Sequence, residues 1–228
     1  MGRKLNIKIR IYLEIGSHRV LASALDWPGW CRTRRDADAA IRALLEYAPR
    51  YAQAVRAARP GFRPPADISE FVTVETLRGG VPTDLGVPER VPRDDLKPLK
   101  DAELHHLQAL LKACWRYFDA AVEAASGREL SLGPRGGGRS LDGIVEHVLG
   151  AEMSYLSRLG GKAEQAGSQE SMLVHTRETI LKTLQASAHG KIAEHGPRGG
   201  KRWTARYFVR RAAWHVLDHA WEIEDRVL

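Results

Sequence analysis

Three histidines have the type and spacing to bind a metal ion. His215 and His219 stand four residues apart, which on a helix puts both imidazoles on one face, one turn apart. Metal ions in helical sites are chelated by this arrangement. His147 lies in an apolar stretch, where a metal would satisfy an imidazole that is otherwise costly to bury. The alternative is a buried polar cluster, or three unrelated histidines.

Three protein ligands leave a coordination position open, which is typical of catalytic rather than structural sites. A metal there would polarise a substrate or lower the pKa of a water or thiol. Glu222 follows His219 by three residues and shares its helix face. It could be a fourth ligand, a base, or an acceptor for an imidazole N–H, and Asp218 is an alternative acceptor. Glu222 and Asp218 are therefore the candidate catalytic residues.

A repeated loop supplies candidate anion-binding residues. Residues 133–139 read Gly-Pro-Arg-Gly-Gly-Gly-Arg, and residues 196–202 read Gly-Pro-Arg-Gly-Gly-Lys-Arg. Each precedes a predicted helix, and helix N-termini beside arginines favour anions. If the second and fourth helices are parallel, both loops lie at one end, about 10–16 Å from the metal by the helix rise. The alternative is tight turns with solvated arginines. The candidate residues are Arg135, Arg139, Arg198 and Arg202.

Four long helices must position these side chains. Apolar residues recur every three or four positions from residue 101 onward, and hydroxyl residues such as Ser140 and Thr204 precede two of the runs. Such helices with moderate loops predict an up-down-up-down four-helix bundle. The predicted helices cover about 101–126, 140–160, 168–189, and 204 to the C-terminus.

The first part of the chain has strand periodicity instead. Residues 5–15 alternate apolar and polar, which predicts a strand with one buried face. Gly16-Ser17 suits a hairpin turn into a second strand, Asp36 suits the N-cap of a helix, and residues 71–77 favour a third strand. This order is a β-β-α-β unit.

Proline and glycine mark the boundary between the two parts. Residues 79–100 are rich in both, which disfavours helix and sheet and predicts a linker or an extended strap. The fold class expected is therefore a two-domain α+β protein. Residues 1–78 form the small β-β-α-β unit, and residues 101–228 form the four-helix bundle.

Charge and composition exclude several classes. The net charge is +7, but residues 1–100 carry 18 Lys+Arg against 12 Asp+Glu, whereas residues 101–228 carry 17 against 16. With no recognition helix or aromatic platform near the N-terminal arginines, we do not expect nucleic-acid binding. Two cysteines exclude a disulfide scaffold. No apolar run reaches about 18 residues, so we expect no membrane partner and a cytoplasmic protein.

Residues 101–228 resemble the DinB-like superfamily of four-helix metal-binding proteins. The matching residues run from Arg139 to His147, then Glu152, Tyr155 and Arg210, and end at His215 and His219. The resemblance implies that His147, His215 and His219 bind a divalent metal, zinc or nickel, with iron and manganese as alternatives. It also implies a homodimer, and a transferase, isomerase or hydrolase that acts on a small anionic substrate and uses a low-molecular-weight thiol.

The first unit resembles the HicB-like antitoxin domain. The matching residues are Ala24-Leu25-Asp26-Trp27-Pro28-Gly29, then Cys31-Arg32-Thr33, then a helix that opens at Asp36. The resemblance implies a module that binds a protein partner. The alternative function is therefore a non-enzymatic stress-related or adaptor protein, in which the metal is structural.

Overall fold

The chain folds into two compact units that divide between Lys97 and Pro98. The structure is a computed structural model that describes residues 8–58, 61–132, 138–164 and 166–228. The first unit contains a sheet with helices, and the second is helical, so the predicted α+β class is confirmed. Within the described ranges, no helix is both long and apolar enough to span a membrane.

The sheet of the first unit has four strands in the order β3-β2-β1-β4. A hairpin at Gly16 joins β1 to β2, β3 continues antiparallel, and β4 lies parallel to β1. The short strand β3 was not predicted, because it has only four residues and begins two residues after Gly29 of the Pro-Gly turn. The strands are β1 Ile9–Ile15, β2 Val20–Ala24, β3 Cys31–Arg34 and β4 Phe71–Arg78.

Two helices, α1 Ala37–Glu46 and α2 Ala48–Val55, stand between β3 and β4 in the chain. Asp36 caps α1 as predicted, since its carboxylate accepts the N–H of Ala39 at 2.8 Å. Pro49 lies in the first turn of α2, where its missing N–H costs nothing, so the helix direction changes just before it. Trp30 is fully buried and donates its indole N–H to the carbonyl of Leu44 at 2.8 Å.

Residues 79–97, which we expected in a linker or an extended strap, pack on β1. Glu14 is fully buried, and its carboxylate accepts the backbone N–H groups of Glu89 and Arg90, each at 3.1 Å. The hydroxyl of Thr83 donates to the same carboxylate. Because these bonds satisfy the charge of Glu14, the proline-rich segment is held against the sheet.

This segment also explains why β1 has two buried faces rather than the one expected. Ile11 and Leu13 on one face and Tyr12 and Glu14 on the other are all buried. The segment contains a short helix, α3 Val81–Asp84, and a 3₁₀ turn over Arg93–Leu96. The carboxylate of Glu14 therefore lies against polar partners, whereas the alternating pattern of the strand had predicted a side chain in solvent.

The Glu14→Ala variant tests this arrangement. It leaves two backbone N–H groups without their acceptor, so we expect a loss of about 2–4 kcal/mol in the free energy of unfolding of the first unit. Hydrogen exchange of residues 79–97 should accelerate strongly. Glu46→Ala, an exposed change on α1, is the matched control. Unchanged exchange in the segment would contradict its assignment to the first unit.

The second unit contains four long helices close to their predicted positions. Ser140, Ser168 and Thr204 each precede a helix and accept the backbone N–H three residues on. Gly160 ends one helix in the left-handed region, with φ of 107°, which favours glycine. The helices are α4 Asp101–Ala125, α5 Leu141–Leu159, α6 Gln169–Ala188 and α7 Ala205–Arg226.

Contacts at the helix ends fix the direction of α7 relative to its two main neighbours. Arg206, at the start of α7, pairs with Glu103, at the start of α4, at 2.8 Å, so these helices are parallel. By contrast, the Trp203 N–H donates to the carbonyl of Arg158, near the end of α5, at 3.0 Å. The end of α7 meets the start of α5, where Arg226 donates to the carbonyl of Arg139 at 2.8 Å. The helices α5 and α7 are therefore antiparallel.

The remaining helix, α6, is antiparallel to α4. His189 lies 2.9 Å from Asp101, and Arg177 lies 2.8 Å from Asp119. The order is therefore up-down-down-up, and the predicted up-down-up-down order was wrong. Residues 160–168 can span about 30 Å when extended, which is enough to return along a helix of α5's length, about 29 Å. A loop of moderate length therefore does not determine helix direction.

A buried ion pair holds α5 at a defined height between α4 and α6. Glu152 is 1% exposed, accepts the indole N–H of Trp115 at 2.7 Å, and lies 3.4 Å from the guanidinium of Arg177. Burial raises the pKa of Glu152 to about 7, against the opposing effect of Arg177. Because partners on both neighbouring helices contact one side chain, α5 is fixed in rotation and height, and His147 with it.

Candidate metal centre

The three histidines predicted as ligands lie together. A ligand nitrogen from each of His147, His215 and His219 lies within 4.8 Å of the others. The Nε2 atoms of His147 and His215 are 3.2 Å apart. A metal ion with tetrahedral coordination and metal–nitrogen bonds of 2.0–2.1 Å requires about 3.3 Å between its ligand nitrogens. The Nε2 atoms of His147 and His215 already have this separation. The cluster fits a divalent transition metal.

The antiparallel packing of α5 and α7 brings the histidines level. His147 follows the cap residue Ser140 by seven residues, and His219 precedes Arg226 by seven residues. Both are thus about 10 Å from the same end of the helical unit. If α5 and α7 were parallel, as we expected, one helix would have to be shifted by one turn to bring the histidines level. The antiparallel arrangement requires no such shift.

Glu222 orients one of the histidines. Its Oε2 lies 2.7 Å from Nδ1 of His219, and its Oε1 accepts from Arg226 at 2.6 Å. The hydrogen bond from His219 lowers the pKa of Glu222, and Arg226 acts in the same direction. Because Nδ1 of His219 faces the carboxylate, Nε2 is the nitrogen left for a metal. Among the three roles considered for Glu222, the geometry favours the acceptor for an imidazole N–H.

Burial lowers the pKa of two of the three imidazoles, those of His147 and His215. His215 is 7% exposed, and burial lowers its pKa to about 2. The neighbouring His219, His147 and Arg211 lower it further. Burial also lowers the pKa of His147. Because metals bind the deprotonated imidazole, these ligands need lose no proton near neutral pH.

Comparison with known proteins yields no protein-family model, no curated protein and no solved structure that matches the chain. The DinB-like and HicB-like resemblances therefore rest on the quoted residues alone. The geometry of the histidine cluster does not depend on either resemblance.

The other predicted site residues are dispersed. Asp218 is half-buried on α7, beside His219 in sequence but outside the three-histidine cluster. Arg139 is exposed at the end of the unit nearer the cluster, where its backbone carbonyl accepts from Arg226. Arg135 lies outside the described residues.

The second arginine loop lies at the opposite end of the unit. Arg202 donates to the carbonyl of Ala193 at 2.9 Å, and Arg198 is exposed in the same loop. For the described residues of the two loops, the prediction that both lie at one end was wrong, because the antiparallel packing of α5 and α7 places Arg139 and Arg202 at opposite ends. The described arginines of the two loops therefore do not form a common anion site.

The prediction missed Arg211, which is buried one turn before His215. It is 6% exposed, and its guanidinium donates to the hydroxyl of Tyr155 at 3.2 Å. The ring of Tyr155 in turn lies 5.8 Å from that of His215. A signal was present, since Arg211 and His215 have the same four-residue spacing as the histidine pair.

Stability of the metal-free protein should depend on pH through His215. Its pKa is about 2 when folded and 6.5 ordinarily, so below about pH 6.5 the unfolded chain takes up a proton that the native state does not. The free energy of unfolding should therefore fall as pH decreases, by about 2 kcal/mol between pH 6.5 and pH 5 from this group.

Urea titrations of metal-free wild type and His215→Leu at about pH 7.5 and pH 5 measure this contribution. The variant should lose less stability on acidification, while above about pH 7 the difference between the two proteins should be constant. An identical loss in both proteins would contradict a buried, neutral His215.

Proposed function

We propose that the protein is a metal-dependent enzyme whose centre is His147, His215 and His219. The observation that carries the proposal is the convergence of three imidazole nitrogens within 4.8 Å on two helices. Three ligands leave room for a substrate at the metal, as in catalytic sites. A divalent ion held there would supply Lewis-acid polarisation of the bound substrate.

The chain's own residues would prepare the centre in three ways. Glu222 accepts a hydrogen bond from the N–H of His219 and so fixes the orientation of that ring. Burial keeps His215 neutral and excludes water from its side of the cluster. Arg226 holds Glu222 in place by a bond of 2.6 Å, so that the carboxylate stays with the histidine.

The reaction class proposed is that of the DinB-like resemblance. The chain would be a transferase, isomerase or hydrolase that acts on a small anionic substrate with zinc or nickel and a low-molecular-weight thiol. One histidine on α5 and a pair four residues apart on α7 support this assignment. A cytoplasmic location and a homodimer belong to the same proposal.

The adaptor alternative requires a closed, structural metal site. Glu222 would have to supply the fourth ligand, but both of its carboxylate oxygens are bonded, one to His219 and one to Arg226. This geometry favours an open site and therefore an enzyme. A protein-binding role for the first unit is compatible with either function.

Metal analysis of tag-free protein tests the centre. We expect about one equivalent of zinc or nickel after reconstitution, and at least a 100-fold loss of affinity in His147→Ala, His215→Ala and His219→Ala. His175→Ala, on the exposed surface of α6, is the control. Less than about a tenth of an equivalent in the wild type would contradict the proposal.

Cobalt substitution distinguishes a catalytic from a structural centre. Addition of a small thiol to the cobalt-loaded protein should change its visible spectrum, because an open position can accept a further ligand. Chelation of the metal should leave the helical signal in circular dichroism intact, since the apolar core packs without it. An unresponsive spectrum together with unfolding on chelation would favour the structural alternative.

The Glu222→Gln variant tests the orienting role. The amide can accept from only one oxygen and binds the imidazole more weakly, so we expect metal affinity to fall about 10–100-fold. Competition with a chromophoric chelator measures the affinity. Glu224→Gln, an exposed change two residues away, should leave it unchanged. Equal affinities in the two variants would exclude Glu222 from the centre.

A further inference from the structure

Arg211 is a buried cation without an acidic partner among the described residues. It is 6% exposed, and its Nε and Nη1 atoms are buried with no hydrogen-bond acceptor there. The bond to the hydroxyl of Tyr155 uses Nη2 alone. A buried charge is costly unless it is paired and hydrogen-bonded, so the guanidinium has unused donors where donors are normally satisfied.

Aromatic rings surround the guanidinium without satisfying those donors. Its central carbon lies 4.9 Å from the ring centre of Trp214, 5.3 Å from that of Tyr155 and 5.9 Å from that of Trp203. Cation–π attraction offsets part of the cost of burying the charge. The N–H groups lie in the guanidinium plane, however, and a planar carboxylate can accept two of them at once.

This cation lies beside the metal centre. Arg211 precedes His215 by one turn on the buried face of α7, so their Cβ atoms are about 5–6 Å apart. Tyr155 connects the two, with its hydroxyl 3.2 Å from Arg211 and its ring 5.8 Å from that of His215. The charge of Arg211 also contributes to the lowered pKa of His215.

We propose that Arg211 binds the carboxylate of a small substrate whose reacting group lies at the histidine cluster. Because Arg211 and His215 leave α7 one helical turn apart, one compact molecule can present its carboxylate to the guanidinium and its reacting group to the histidines. Such a substrate is smaller than one that spans the distance of about 10–16 Å expected between the arginine loops and the metal. Tyr155 and Trp203 are partly exposed, so they can contact the body of a planar or apolar substrate.

The position of the reacting group rests on the proposed function, because it requires a metal at the histidine cluster. Binding of the carboxylate by Arg211 requires no metal. The probe is phenylacetate, with the neutral phenylacetamide as its isostere, and calorimetry measures binding to the full chain with and without cobalt. Wild type should bind the acid at least about tenfold more tightly than the amide, since charge-assisted hydrogen bonds form only with the acid.

The Arg211→Gln variant should bind phenylacetate about 10–100-fold more weakly and retain its cobalt spectrum. Arg206→Gln is the matched control, because Arg206 lies on the same helix but already pairs with Glu103. If Arg211→Gln does not fold, Arg211→Lys keeps the charge without the planar fork and should bind at least about fivefold more weakly.

Equal binding of acid and amide by wild type, or unchanged acid binding in the Arg211 variant that folds, would overturn the inference. A purely packing role for Arg211 would change the melting temperature without separating the acid from the amide. If the protein binds the acid through Arg211 but binds no metal, the proposed function is refuted and this inference stands. If the protein binds metal but its acid binding does not depend on Arg211, only this inference is refuted.

Discussion

The antiparallel contact between α5 and α7 is the constraint on which the candidate centre depends. It is fixed at one end by the bond from Arg226 to the carbonyl of Arg139, and at the other by the bond from Trp203 to the carbonyl of Arg158. Sliding either helix by one residue would move its histidines by about 1.5 Å, several times the tolerance of about 0.2 Å in a metal–nitrogen bond. The same contact places Arg139 and Arg202, the described arginines that precede α5 and α7, at opposite ends of the unit.

Two buried arginines on α7, Arg226 and Arg211, differ in how many of their hydrogen-bond donors have an acceptor. Arg226 has its Nε and both terminal nitrogens bonded, to Ser131, Glu222 and Arg139, and so links the end of α7 to a metal-site carboxylate. Arg211 has two nitrogens without an acceptor among the described residues. Because the fold satisfies the guanidinium of Arg226 fully, the contrast with Arg211 supports the proposal that the remaining donors of Arg211 bind a ligand.

Local features of this fold were predictable from the sequence, whereas helix directions were not. The caps at Ser140 and Thr204 and the pairing of His215 with His219 follow from spacings of a few residues, and the structure has them as predicted. The direction of α6 depends on the path of residues 160–168, whose length suits either topology. The packing of residues 79–97 depends on the contact of Glu14 with Glu89, which spans 75 residues and which no local pattern contains.

The charges around the candidate centre would couple the binding of a metal to the binding of the proposed substrate. A divalent ion would bring its charge into a site where Arg211 and Arg139 already lower the pKa of His215. These guanidiniums oppose metal binding, and a carboxylate on Arg211 would offset that opposition. Because coupling between two binding events is reciprocal, an anionic substrate would tighten the metal and the metal would tighten the substrate. An enzyme of the proposed design would hold its metal best when its substrate is present.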